Sequence, residues 1–149
     1  MAPKLNNPNL FQNKPFINGQ WYDSKSTSTF KVYDPATQEL IIELPDQTPE
    51  EIDEAIAITH KAFQTYQRTP VYERAKWLRR MYELMTENLQ DLATLITWEN
   101  GKCLADALGE IKYAASYFEW FSEECKRNYG HTIQPLNQNN KVITYKQPV

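Results

Sequence analysis

The chain has 149 residues, with 16 basic and 19 acidic side chains and a net charge of −3. It contains no basic cluster, so we do not expect a nucleic-acid-binding protein. Its apolar runs are too short to cross a bilayer, and its N-terminus lacks the apolar core of a secretory signal. The two isolated cysteines, Cys103 and Cys125, suit a reducing compartment. These features predict a cytoplasmic protein without membrane association.

The first third of the chain predicts a small β-unit behind a polar arm. Residues 1–15 are polar and show no periodicity, which predicts a flexible N-terminal arm. In residues 16–22, two short apolar runs flank Asn18-Gly19, a pair that favours the type I′ turn of a β-hairpin. Residues 30–34 and 39–44 predict a second antiparallel pair.

The middle of the chain shows successive helix signals. Thr48-Pro49-Glu50-Glu51 combines a capping box with proline at the first helical position. Apolar residues then recur at helical spacing at Ile52, Ala55, Ile56, Thr59, Phe63 and Tyr66. Thr69-Pro70 resembles this opening, and Asn88 marks a kink or a break. Asn100-Gly101 ends the helical pattern.

Residues 104–129 carry the clearest helical pattern. Apolar side chains recur every three or four positions at Leu104, Ala107, Leu108, Ile111, Ala114, Ala115, Phe118, Phe121 and Cys125. We expect Gly130 to end this helix in the left-handed conformation. Residues 132–140 predict a loop, and residues 141–146 predict a strand with no partner following it.

Side chains able to carry chemistry are few. The four glycines are scattered and form no phosphate-binding loop. His60 is interpreted as a helix-surface residue, and Cys125 as a buried core residue rather than a nucleophile. Cys103 is expected to be more exposed. The cluster of Glu119, Glu123 and Glu124 suggests paired acid–base carboxylates or, more simply, a solvated helix face. We therefore assign no catalytic and no cofactor-binding residue.

Several segments together resemble one enzyme family. ENGKCLA and GEIKYAASYFEWFSEE are preceded by FINGQWYDS and VYDPATQELIIELP and followed by TIQPLNQNNKVITYKQPV. In order and spacing they resemble the aldehyde dehydrogenase superfamily, and are most similar to its succinate-semialdehyde dehydrogenase branch. The resemblance covers nearly the whole chain after its first fifteen residues. The chain departs from the family at Cys103, where proline is usual, and at Leu108, where lysine is usual.

The resemblance implies a helix-rich N-terminal fragment of an α/β fold. Residues 16–130 would form the N-terminal part of the cofactor-binding domain, and residues 131–149 the start of a truncated oligomerisation arm. Full-length members oxidise an aldehyde to a carboxylic acid with NAD or NADP through a cysteine thiolate. Their catalytic and nicotinamide-binding residues come later in the chain. We therefore expect this chain alone to be inactive and to bind no cofactor.

Two further expectations come from the resemblance. Several relatives bind a monovalent cation at positions that correspond to Glu99 and Tyr33; the simpler alternative is that Glu99 forms a local cap or ion pair. The helix at 104–129 borders the substrate tunnel in the family, so its surplus of aromatic residues would either line a pocket or be buried on two sides. Expected partners are homo-oligomer subunits or full-length aldehyde dehydrogenase subunits. The alternatives are a non-enzymatic chain that docks onto such subunits and a fragment without function.

Overall fold

Four helices dominate the computed structural model, which describes residues 2–148. They are α1 (Pro49–Tyr66), α2 (Val71–Glu87), α3 (Leu89–Asn100) and α4 (Leu104–Glu124), with 3₁₀ turns at Pro8–Leu10 and Cys125–Arg127. The strands are β1 (Phe16–Ile17), β2 (Gln20–Trp21), β3 (Thr29–Tyr33), β4 (Leu40–Pro45), β5 (Thr132–Ile133) and β6 (Val142–Ile143). The four long helices and six short strands among residues 2–148 confirm the prediction of a helix-rich fragment with a small β-unit.

In the described part of the chain, the strands form three separate antiparallel pairs. Asn18 and Gly19 have φ values of 54° and 77°, the positive angles that a type I′ turn requires, so β1 and β2 pair directly. In the second pair, β3 lies against β4 in a register that runs from Thr29 opposite Pro45 to Tyr33 opposite Leu40. Both predicted hairpins are confirmed.

Helix α1 begins at its predicted capping box. The Glu51 N–H donates to Thr48 Oγ1 at 3.3 Å, and the Thr48 N–H donates to Glu51 Oε2 at 3.0 Å. The predicted apolar stripe is not covered by the described residues, since Ile52 is 50% and Ile56 is 62% exposed. Helix α1 is therefore held at its start, while much of its apolar face meets solvent.

Helices α2 and α3 are separated at Asn88, which confirms the predicted break. The prediction that a second helix opens at Thr69-Pro70 is confirmed, but Thr69 does not cap it as Thr48 caps α1. The Thr69 N–H donates to the Tyr66 carbonyl at 2.9 Å, so Thr69 belongs to the turn that closes α1. Pro70 occupies the N-cap position without a side-chain cap. Gly101 ends α3 at φ 75°, as predicted.

Helix α4 packs against α2 and α3 and completes the main core. Ala93 of α3 and Ala107 of α4 are both 0% exposed, so the two backbones approach closely, and Ile111 fills the space beside them. The partly buried residues around them are Met85, Leu89, Leu92, Ile96 and Leu108. The 3.6-residue period thus identified the buried side of α4 at Ala107, Ile111 and Ala115. It was wrong for Leu104 and Phe121, which are 39% and 50% exposed.

The prediction that Gly130 ends α4 is wrong. The α-helix ends at Glu124, tightens into the 3₁₀ turn, and leaves helical geometry at Asn128. Gly130 does not adopt a positive φ. It instead permits a close approach, because a Cβ on Gly130 would lie 1.9 Å from the Thr144 carbonyl oxygen.

The segment after Gly130 contains a strand that sequence reasoning assigned to a loop. Thr132 lies opposite Ile143, and Ile133 lies opposite Val142. The hairpin is extended by His131 and Thr144, whose amides donate to each other's carbonyls at 3.2 and 2.8 Å. The strand in residues 141–146 is therefore shorter than predicted, and it has a partner on one side.

The N-terminal segment contacts α3 through a buried carboxylate. Asp91, which is 4% exposed, accepts hydrogen bonds from the Asn6 N–H at 3.0 Å and the Asn7 N–H at 2.7 Å. The rings of Phe11 and Trp98 lie 5.3 Å apart between centroids. The flexibility of residues 1–15 remains a prediction, and Met1, like Val149, lies outside the described residues.

Candidate functional site

The outer side of α4 carries an exposed aromatic face. Tyr113, Tyr117 and Phe121 follow one another at four-residue spacing, so their rings lie along one side of the helix. Tyr113 meets Tyr117 edge-on at 5.0 Å, and Tyr117 stacks on Phe121 at 6.5 Å. Trp120 beside them is 62% exposed. The expectation that α4 is buried on two sides is therefore wrong for the described residues.

These aromatic residues line an open groove of about 680 Å³. Its other lining residues are Ser116, Glu119, Glu123 and Arg127, so apolar rings are flanked by polar groups. The tyrosine hydroxyls of Tyr113 and Tyr117 are in hydrogen-bond contact, and this bond raises the pKa of Tyr117. The Tyr117 phenol thus stays neutral near pH 7. The groove can bind a flat or apolar group but obtains no base from Tyr117.

The glutamates of α4 are engaged in ion pairs rather than in an acid–base pair. Glu119 pairs with Arg79 at 3.0 Å, Glu123 pairs with Lys126 at 3.0 Å, and Glu124 pairs with Arg127. The hydrogen bond from Lys126 lowers the pKa of Glu123, which keeps that group ionised. The interpretation as a charged, solvated helix face is confirmed.

The cysteines and histidines form no reactive group. Cys103 is exposed just before α4, as expected, while Cys125 is half-buried with its Sγ 3.4 Å from the Ser122 carbonyl oxygen. His60 lies on the exposed side of α1, also as expected, and His131 is exposed in the last hairpin. Within residues 2–148, no group of three or more His, Cys, Asp or Glu side chains could hold a metal ion.

Glu99 and Tyr33 lie on segments that meet. Glu99 is exposed in the last turn of α3, and Tyr33, at the end of β3, is 47% exposed. Two residues beyond Glu99, Gly101 packs so closely that an added Cβ would lie 3.0 Å from Pro35 Cγ. The end of α3 and the turn after β3 are therefore neighbours, as a shared cation site would require.

Two buried carboxylates were not identified as tertiary anchors from the sequence. Glu51 Oε1 accepts hydrogen bonds from the Lys25 N–H at 2.7 Å and from Ser24 Oγ at 3.0 Å, in addition to its capping role. The backbone bond from Lys25 is the main cause that lowers the pKa of Glu51, and the bond from Asn6 does the same to the pKa of Asp91. Because these oxygens are already engaged, neither carboxylate is available as a general base.

Helices α1–α4 are too short or too polar to cross a bilayer, and this holds for every helix described between residues 2 and 148.

Comparisons with known proteins agree with one another. The model of the aldehyde dehydrogenase family matches residues 21–149. The succinate-semialdehyde dehydrogenase [NADP(+)] of Saccharomyces cerevisiae is 55% identical over 147 residues, which are 99% of this chain and 29% of that protein. The glutarate-semialdehyde dehydrogenase of Pseudomonas putida is 44% identical over 98% of this chain and 30% of its own length.

Comparison with solved structures gives the same result. A crystal structure of an NADP-dependent enzyme from E. coli superposes with a TM-score of 0.89 at 41% identity, covering 94% of this chain and 29% of that one. The chain thus spans about 29% of the length of these relatives. Its helices and small antiparallel strand pairs form an N-terminal fragment of that larger α/β fold.

Proposed function

Because the chain belongs to the aldehyde dehydrogenase family, we propose that it is the N-terminal part of an NAD(P)+-dependent dehydrogenase that oxidises succinate semialdehyde to the acid. The observation that carries this proposal is the high identity to a succinate-semialdehyde dehydrogenase along almost the entire chain.

The 149 residues do not themselves fit a nicotinamide cofactor. Gly19, Gly101, Gly109 and Gly130 are the only glycines and stand far apart, so no glycine-rich loop can cradle a pyrophosphate. Among the described residues, neither cysteine is hydrogen-bonded to a basic side chain, and the glutamates of α4 are paired. We therefore propose that the 149 residues alone are inactive and retain neither NAD nor NADP.

The test is an assay of the purified 149-residue chain with succinate semialdehyde and either NAD+ or NADP+. The expected result is no cofactor reduction and no cofactor retained after gel filtration. Steady reduction that disappears in Cys103→Ala or Cys125→Ala would refute the proposal of inactivity. Measuring the mass of the natural protein decides separately whether a longer chain carries the activity, since the longer protein should reduce one of the two cofactors.

In this proposal, residues 16–130 belong to the cofactor-binding domain and residues 131–149 begin the oligomerisation arm of a cytoplasmic homo-oligomer. The alternative is a non-enzymatic chain that docks onto full-length aldehyde dehydrogenase subunits. The exposed apolar side chains of α1 and α4 favour it, because patches of this kind drive association. Co-expression with the matching full-length enzyme discriminates the two: docking predicts co-purification that Ile56→Glu and Trp120→Glu abolish.

Glu99 and Tyr33 are proposed to hold a monovalent cation, with a carboxylate oxygen and a backbone carbonyl as oxygen donors. The contact between Gly101 and Pro35 supports this proposal by joining the two segments. A higher melting temperature in K⁺ or Na⁺ than in tetramethylammonium is expected, and Glu99→Gln should remove the difference. The matched control Asp53→Asn, on an exposed side of α1, should retain it.

A further inference from the structure

A cavity of about 410 Å³ lies between α2, the end of α4 and the segment after β6. Its lining residues are Arg74, Leu78, Phe121, Glu124, Cys125, Arg127, Asn128 and Lys146. Three side chains carry a positive charge and one carries a negative charge, so the lining has an excess of positive charge. Leu78, Phe121 and Cys125 supply the apolar part of the lining.

Two of the three cations that line the cavity, Arg74 and Lys146, have no counter-ion among the described residues. Glu124 is engaged by Arg127, and this hydrogen bond raises the pKa of Arg127. No ion pair forms between Arg74 or Lys146 and any carboxylate among residues 2–148. The positive charge of the cavity therefore remains uncompensated at Arg74 and Lys146.

Arg74 also leaves a donor unused. Its Nε–H is buried without a hydrogen-bond partner, although buried polar groups are almost always satisfied. Arg74 is also not stabilised by the dipole of α2. It lies near the N-terminus of this helix, where the dipole disfavours positive charge. An anion in the cavity would balance the positive charge of Arg74 and Lys146.

We propose that this cavity is a binding site for a carboxylate group, with Arg74 as its main donor and Lys146 as a second cation. A guanidinium presents a planar fork of N–H donors that matches the two oxygens of a carboxylate. The carboxylate comes either from a free small anion or from an acidic side chain of a protein segment outside these 149 residues. Both sources share the same chemistry.

Acetate titration of the 149-residue chain tests the proposal, with the backbone amide resonances of Cys125 and Asn128, which line the cavity and are present in every variant, as the reporters. The expected result is a saturable shift in acetate that sodium chloride at equal ionic strength does not reproduce. Arg74→Gln should weaken binding at least tenfold, and Lys146→Gln, which leaves the core intact, should weaken it several-fold. The matched control Arg80→Gln should bind as the parent does, because Arg80 is exposed and paired with Glu83 and Glu87. Equal shifts in chloride, or unchanged binding in Lys146→Gln, would overturn the proposal.

Cys125 provides a second reporter, because it lines the same cavity. Acetate should slow its alkylation by iodoacetamide in the parent but not in Lys146→Gln, while the exposed Cys103 is alkylated at an unchanged rate. In a longer protein that contains this chain, protection of Cys125 without acetate that Lys146→Gln removes identifies a protein carboxylate. Protection that requires acetate identifies a free anion. Cys125 alkylated at one rate in every condition would contradict both sources.

Discussion

Replacing Ala107 by leucine tests the close contact between α3 and α4. Ala107 is 0% exposed and faces Ala93, which is also 0% exposed, so three added carbon atoms have no space without displacing a helix. Overpacking of this kind costs about 1–3 kcal/mol. For a chain of this size each kcal/mol lowers the melting temperature by about 2–4 °C.

The assay is urea unfolding followed by far-ultraviolet circular dichroism, together with a thermal melt. The matched control is Ala105→Leu, because Ala105 is exposed two positions earlier on the same helix and should change stability by at most about 0.5 kcal/mol. The midpoint should fall in Ala107→Leu alone. Equal midpoints in the two variants would refute the reasoning, since the core would then not be closely packed at Ala107.

Further predictions concern the cap, the buried carboxylates, the last hairpin and the exposed surface. Thr48→Ala should cost about 1 kcal/mol in urea unfolding, while Thr48→Ser, which keeps the hydroxyl acceptor, should stay near the parent. The pKa values of Glu51 and Asp91 lie below their ordinary values, so the stability they contribute is present above about pH 4 and is lost as pH falls through the lowered values. The double variant Glu51→Gln/Asp91→Asn should lose less unfolding free energy than the parent as the pH falls below about 4. An unchanged pH dependence would contradict the lowered pKa values of these two carboxyl groups. Gly130→Ala should speed amide exchange at His131 and Thr144, because its Cβ meets the Thr144 carbonyl oxygen; unchanged exchange would exclude the close approach. Sedimentation and melting at several concentrations should show self-association through exposed Ile56 and Trp120, and a concentration-independent monomer without dye binding would contradict it.

Local signals in the sequence determined most of the secondary structure. The capping box at Thr48, the Asn18-Gly19 turn and the stop at Gly101 each depend on hydrogen bonds or φ angles within a few residues. The period of residues 104–129 identified α4 and its buried side, because side chains three and four positions apart share one side of a helix. The motifs of the same region identified the family.

Tertiary structure decided the features that depend on distant residues. Glycine at position 130 is typical of a helix end. Its role is instead set by Thr144, fourteen positions away, because the Thr144 carbonyl oxygen occupies the space that a Cβ on Gly130 would need. β5 was assigned to a loop because a two-residue strand is defined by its partner rather than by its own composition. Asp91 meets Asn6 across 85 positions of sequence, and no local pattern marks that contact.

The same distinction applies to the candidate sites. The sequence indicated that α4 carries more aromatic residues than one stripe needs, but not which side of the helix is covered. Arg74 resembles any arginine on a helix until the neighbouring elements bury its Nε–H and bring Lys146 to the same cavity. Helical periodicity and capping depend only on residues a few positions apart, so the sequence predicts them. Burial, charge balance and unpaired donors arise only where distant segments pack together, and so only the folded chain determines them.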